Sequence, residues 1–213
     1  MHFFTRALLF ITVTRTAFSL SNFVPPYLTL PPTPSLPAAL SSGYINTSAD
    51  VSIWHAIFNQ PLSTSLAANV PPIVFLHGAF ANSDWLALQV QYLLTSPAAA
   101  NATVISIDSR MQGRSTGYNS SISYAIMRKD VISLMDQLNI PQVRIVGWSD
   151  GAIIALNMAM NAPDRLHSAF AFGTSYLVNN SNNSNSAIGD ESYERSHKEF
   201  LQIAPDPKKW GVS

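Results

Sequence analysis

The sequence predicts an α/β fold: a mostly parallel sheet flanked by helices. Three observations carry that reading. Short, continuous apolar runs such as Ile73-Val74-Phe75-Leu76 suit strands buried on both faces of a parallel sheet. Longer stretches between them place apolar residues at helical spacing. The two kinds alternate about every 30–40 residues, as strand–helix–strand units require.

The elements follow in order. Residues 20–50 read as a loop-like arm, because Pro25, Pro26, Pro31, Pro32, Pro34 and Pro37 crowd it and proline blocks helix and central strand alike. Val51 to Phe58 mixes β-branched and aromatic residues and reads as a strand. The run within 70–77 is the next strand. Asp84 to Thr95 is a helix, with Trp85, Leu86, Leu88, Val90, Leu93 and Leu94 at helical spacing and Ser83 or Asp84 as N-cap. Val104 to Ile107 is a strand ending at Asp108. Tyr124 to Leu138 is a helix with Ile126, Val131, Leu134, Met135 and Leu138 on one stripe. Val143 to Val146 is a strand, Asp150 to Ala162 a helix stopped by Pro163, and Ser168 to Phe172 the fifth readable strand. Beyond Thr174 the chain turns polar and repetitive (Asn179 to Ser186), then gives a charged helix over 190–201.

Composition narrows the function. Lysine plus arginine and aspartate plus glutamate both number 12, and charged residues make up 11% of the chain. A neutral chain without basic runs is not built to bind nucleic acid through phosphates. Cysteine is absent, which excludes a thiol nucleophile and thiolate metal sites. No uncharged apolar stretch reaches the ~20 residues of a spanning helix. Residues 1–19 predict a signal peptide: Arg6, an apolar core from Ala7 to Val13, and the cleavage cue Ala17-Phe18-Ser19. Secretion is therefore expected. The sequons at Asn46, Asn101, Asn119, Asn179 and Asn182 are expected glycan positions.

Chemistry concentrates in three places. Gly147-Trp148-Ser149-Asp150-Gly151 fits G-x-S-x-G between an apolar strand and a helix, the context of a nucleophile elbow. The serine of such a turn is the nucleophile, and the glycines give the turn room. His77-Gly78-Ala79-Phe80 ends a strand, so its backbone N–H groups can face a substrate carbonyl. The expected oxyanion hole is the N–H of Ala79, with Phe80 as the near alternative, plus the N–H of Asp150. The His77 ring itself reads as structural. Asp150 either accepts a substrate ammonium or complements the helix dipole. Trp148 and Phe80 either line the substrate site or pack beneath it. The third place is Ile107 to Ser115, a strand end running into a turn. No dinucleotide, Walker or metalloprotease motif is present, so no cofactor and no metal are expected.

Together, HGAF, IDSRMQGRS and GWSDG make the chain resemble the α/β-hydrolase fold family over residues 50–175. The elbow is similar to that of biphenyl-hydrolase-like and valacyclovir-hydrolase-like esterases and related enol-lactone and C–C bond hydrolases. The resemblance implies strand order 1-2-4-3-5-6-7-8 and the family's Asp-x-Arg-Gly-x-Gly-x-Ser turn, matched by Asp108, Arg110, Gly113 and Ser115. Met111 stands in place of the first glycine of that turn. If the position needs φ > 0, Met111 is strained there. The resemblance also implies a triad acid and histidine late in the chain. The sequence stops at Ser213 without a strand for either, and His197, Asp190 and Glu191 have no support that would bring them to Ser149. The expectation is a C-terminally truncated fold lacking the last strands, with residues 175–213 starting a cap region. An exposed apolar edge at Phe170 and Phe172, and poor solubility, go with it.

Two functional readings stand. One is a serine hydrolase acting on a small ester, lactone or related acyl substrate through a covalent intermediate. The other is a catalytically inactive fragment or non-enzymatic binding remnant of the same fold. A cofactor-free oxidase or lyase on this fold is a third.

Overall fold

A computed structural model describes residues 34–118 and 120–174. All fall within the chain's second unit, Thr33–Ser213. The signal-peptide and cap expectations, with His197, Asn119, Asn179 and Asn182, lie outside the described residues.

The described chain runs β1 (Ser41–Ser48), β2 (Val51–Phe58), α1 (Leu62–Ala67), β3 (Ile73–Leu76), a 3-10 turn (Ser83–Leu86), α2 (Ala87–Thr95), β4 (Val104–Ile107), α3 (Tyr124–Gln137), β5 (Val143–Trp148), α4 (Asp150–Asn161) and β6 (Leu166–Phe172). Its sheet has the order β1-β2-β4-β3-β5-β6. The pairs β3–β4, β3–β5 and β5–β6 are parallel, while β1–β2 and β2–β4 are antiparallel. This is the first six strands of the expected order.

Strand alternation builds a core on each face. Ile53 and Ile57, Val74 and Leu76, Ile105 and Ile107 point to the side covered by α3 and α4. Ala56 and Phe58, Ile73 and Phe75, and Val104 point to the side covered by α2. Every residue of β3 and β4 is buried, which is why β3 reads as an unbroken apolar run and β4 as one interrupted only by Ser106. On α3, Met127, Val131, Leu134 and Met135 are all buried, each worth about 2 kcal/mol of transfer free energy.

The chain passes from β3 outward to β4, then back across β3 to β5. The C-terminal ends of β3 and β5 therefore flank the sheet's switch point, where open α/β sheets place their ligands.

The structure corrects four local expectations. The stretch read as a loop over 20–50 contains β1. Its sequence is polar and only Ile45 is buried, so it has no apolar signature, and pairing with β2 makes it a strand. Helix α1 went unread because six residues give no periodicity. Two connections hold it from the side: the Ser65 hydroxyl donates to the Asn101 carbonyl and accepts the Thr103 N–H. The helix expected over 84–95 is a 3-10 turn followed by α2, capped by Asn82, whose Oδ1 accepts the Asp84 N–H at 3.0 Å. Ser83 is unavailable as a cap because its hydroxyl and N–H both bind Asp108. Finally, β6 is longer than read. Among the described residues it is an edge strand, and Phe170 is 65% exposed on it.

Between β4 and α3 the connection is clamped by charge. Arg110 donates through Nε and Nη2 to the two oxygens of Asp130, both at 2.6 Å, and through Nη1 to the Ser121 carbonyl. Both side chains are buried, at 8% and 5% exposure. Breaking such a pair from one side leaves a buried charge uncompensated. Asp130→Asn is expected to lower stability by about 3 kcal/mol or more, read as a reduced urea midpoint at unchanged slope.

Candidate active site

Strand β5 turns into α4 within one residue. Ser149 stands at that turn with φ 52° and ψ −113°. A serine with positive φ is strained by about 1–2 kcal/mol, and neighbours must hold it there. The sterics do so. A Cβ on Gly147 would overlap the Gly151 carbonyl, and a Cβ on Gly151 would overlap the Leu76 carbonyl. With no side chains at either glycine, α4 starts directly against β3. Two backbone hydrogen bonds lock the arrangement: Gly151 N–H to the His77 carbonyl and Ser149 N–H to the Phe172 carbonyl, both 3.0 Å. The serine thus sits at the N-terminus of a twelve-residue helix, the positive end of its dipole.

The loop after β3 lies against this turn. A Cβ on Gly78 would stand 3.1 Å from the Ser149 Cβ and 3.1 Å from the Trp148 ring. The HGAF and GWSDG segments are therefore neighbours. The His77 ring is buried and fully engaged: Nδ1–H donates to the Gly78 carbonyl at 2.7 Å, and Nε2 accepts the Ser109 N–H at 2.9 Å. Those partners require the neutral ring, and burial lowers its pKa in the same sense. His77 holds the loop and has no nitrogen left to act as a base. The backbone N–H groups of Ala79 and Asp150 make no hydrogen bond to the described residues. Phe80, the near alternative donor, takes φ 56°.

The turn after β4 anchors the same edge. Asp108 is fully buried and its carboxylate accepts four hydrogen bonds: the Ser83 N–H and hydroxyl on Oδ1, the Arg114 N–H and guanidinium on Oδ2. Arg114 also makes a bidentate pair with Asp84 and lies 4.1 Å over the Trp54 ring. Ser115 donates to the Asp108 carbonyl and accepts the Trp54 N–H. One carboxylate therefore ties the loop after β3 to the turn after β4. Met111 does adopt φ 63°, the left-handed backbone that a glycine would take freely. Its side chain is 7% exposed within the core, and this packing offsets the strain.

Among the described residues six non-glycine residues have positive φ, and three of them are asparagines, which tolerate it. The other three are Phe80, Met111 and Ser149. Each follows the C-terminal end of a strand, β3, β4 and β5 in turn. Backbone strain of this kind gathers at functional loops.

Asp150 is 6% exposed. Its Oδ1 accepts the Tyr124 hydroxyl at 2.8 Å, while its Oδ2 is buried without a partner. Burial raises its carboxyl from 3.8 to about 6, with Tyr124 opposing. Tyr124 was legible only as a helix residue, since nothing in its spacing connects it to Asp150. Trp148 is half-buried and stacks on Trp85, which the sequence reading placed only in a helix. No described side chain hydrogen-bonds the Ser149 hydroxyl. His55 faces the α3 side of the sheet beside Ile53 and Ile57, and His167 lies at the far end of β6 from the elbow. Among the described residues no group of three His, Asp or Glu could hold a metal ion, and no helix is long and apolar enough to cross a membrane.

Comparisons with known proteins agree on the fold. A family model described as alpha/beta hydrolase fold matches residues 71–200. Bifunctional epoxide hydrolase 2 of Sus scrofa is 26% identical over 155 residues, which are 72% of this chain and 26% of that protein. A solved structure described as "Est816 as an N-Acyl homoserine lactone degrading enzyme" is 26% identical with TM-score 0.50, covering 62% of this chain and 45% of that one. A hydrolase from Pseudomonas aeruginosa has TM-score 0.60 at 19% identity, covering 79% of this chain and 56% of that one, a likeness of fold alone. The chain spans about a quarter of the pig protein's length.

The raised Asp150 carboxyl gives the site a pH signature. Between its unfolded and folded values the folded state holds more protons, so this group's contribution to stability falls as pH rises from about 4 to about 6. The two-unit shift amounts to about 3 kcal/mol. The stability difference between wild type and Asp150→Asn, measured by urea unfolding at pH 4 and pH 7, is expected to change by about that amount. The variant gains relative to wild type at pH 7.

Proposed function

The chain belongs to the alpha/beta hydrolase fold family, and from that premise we propose that it hydrolyses a small ester, lactone or related acyl substrate with Ser149 as nucleophile. The observation that carries the proposal is the strained serine between two space-limited glycines, against the HGAF loop. The lactone-degrading description of one solved relative supports the substrate class.

In this reaction the Ser149 Oγ attacks the substrate carbonyl. The oxygen that becomes negative is held by the N–H groups of Ala79 and Asp150, each worth about 3–4 kcal/mol in the transition state. The C–O bond to the leaving group breaks, an acyl-serine forms, and water releases the acid. The serine proton goes to a general base. No described residue takes that role, so the base and its orienting acid come from outside the described residues. Trp148 and Phe80 line the substrate, and the unpartnered Asp150 Oδ2 is the group that would receive a substrate ammonium.

One observation favours the second reading, an inactive or purely binding chain: the Ser149 hydroxyl has no described base. An oxyanion hole and binding alone leave only about 10³–10⁴-fold over water. A fluorophosphonate separates the two. The proposal expects rapid covalent labelling, mapped to Ser149 and abolished in Ser149→Ala. Labelling no faster than that of a free serine establishes the inactive reading. Protection by an amino-acid ester, but not by its desamino analogue, is expected if Asp150 binds the amine.

The secretory route is likewise proposed, on the pattern of residues 1–19. Of the sequon asparagines, Asn46 and Asn101 are exposed in the fold. Expression in a glycosylating host is expected to give a product whose mass falls on N-glycosidase treatment. An unchanged mass removes this part of the proposal.

A further inference from the structure

Beside Ser149 lie two pairs of aromatic rings, Trp85 with Trp148 and Phe172 with Phe170, brought side by side where Trp148 and Phe172 pair across β5 and β6. Trp148, the residue before the nucleophile, has one ring edge against Gly78 and the other against Gly173, where added Cβ atoms would lie 3.0–3.2 Å from it. The Trp85 ring stacks on it at 6.1 Å with an 18° tilt, an attractive offset geometry. Across the parallel β5–β6 register Trp148 is paired with Phe172, and Phe172 contacts Phe170 at 5.6 Å. The outer ring of each pair is open: Trp85 is 45% and Phe170 65% exposed.

The charge pattern says what these rings fit. From Trp85 to Ile107 the chain has no charged residue. The neighbouring Arg114 is already engaged by two carboxylates, Asp84 and the buried Asp108. The rings themselves carry no group to pair with a carboxylate or phosphate, and the carboxylate beside them, Asp150, is buried at the start of α4. The rings offer flat apolar area next to the reacting serine, and indole faces attract alkyl and aromatic groups through the water they release.

We propose that Trp85, stacked on Trp148, is the specificity-determining wall for the acyl side of the Ser149 site. The substrates are then esters or lactones with an extended alkyl or aromatic acyl group. This rests on the reading of Ser149 as nucleophile. A fully buried methylene gains about fourfold, and one laid against a single wall about half that free energy, or twofold. Four extra methylenes then amount to roughly 15-fold.

The test uses the full chain and two alkyl fluorophosphonates, with butyl and octyl chains. The octyl probe is expected to label Ser149 roughly 15-fold faster. Trp85→Ala brings the two rates together, and Trp85→Phe keeps most of the preference. A merely structural role for Trp85 would slow both probes alike and leave their ratio, which overturns the proposal. So does a wild-type chain that labels equally with both. If neither probe labels, the nucleophile reading has failed. The wall is then judged by equilibrium dialysis of methyl octanoate against methyl butyrate on Ser149→Ala. Tighter octanoate binding that Trp85→Phe retains supports the wall, and equal binding overturns it.

Discussion

The geometry of this protein hangs on the lack of room where α4 meets β3. A side chain on Gly151 would occupy the space of the Leu76 carbonyl, and one on Gly147 that of the Gly151 carbonyl. Because neither exists, the helix begins in contact with two strands. Its Gly151 N–H reaches the His77 carbonyl at the end of β3, and the residue between β5 and the helix takes a left-handed backbone. Ser149 is that residue. Its strain is maintained by the sheet and by the hydrogen bonds to His77 and Phe172. The serine's place at the positive end of the helix dipole and the neighbouring loop both follow from the same close packing.

Around that point the protein uses charge to hold its loops. Asp108 and Arg110 are two residues apart and serve different connections: Asp108 ties back to the loop after β3, and Arg110 forward to α3. Buried pairs of this kind add little net stability over apolar packing, but each specifies one arrangement, since any other leaves a charge bare. The same edge of the sheet collects the strained backbones of Phe80 and Met111. A switch-point crevice with rigid loops and stored strain is what catalysis by oriented N–H groups needs, because such donors act only when they are already in place. Asp150 contrasts with these groups. Half of its carboxylate is unpartnered beside Ser149, and a structural role alone leaves that atom unexplained.

Much of this was legible in the chain. Strands β3, β4 and β5 read as apolar runs because both their faces are covered, and α3 and α4 read through periodicity because one face of each is buried. The elbow was legible because its steric requirement is local: two glycines flanking a serine between a strand and a helix. Strand β1 was not legible, since an edge strand with one buried residue has the composition of a loop. Helix α1 was too short to show a period. The N-cap is Asn82 rather than Ser83 or Asp84, because all three residues are capable caps and tertiary partners decide among them: Asp108 engages Ser83, and Arg114 engages Asp84.

The sequence by itself determined the fold class, the strand–turn–helix around Ser149 and the neutrality of the chain, all properties of contiguous residues. Tertiary structure decided what depends on partners far apart in the chain. It made His77 a neutral loop anchor through Ser109, 32 residues on. It gave Met111 a strained backbone held by core packing, and it set Asp150 opposite Tyr124, 26 residues away. It also stacked Trp85 on Trp148 and set that pair beside Phe172 and Phe170. Periodicity reports which face of an element is buried, but not which residue of another element meets it. That pairing is fixed only when the sheet order brings the ends of β3, β4 and β5 to one edge.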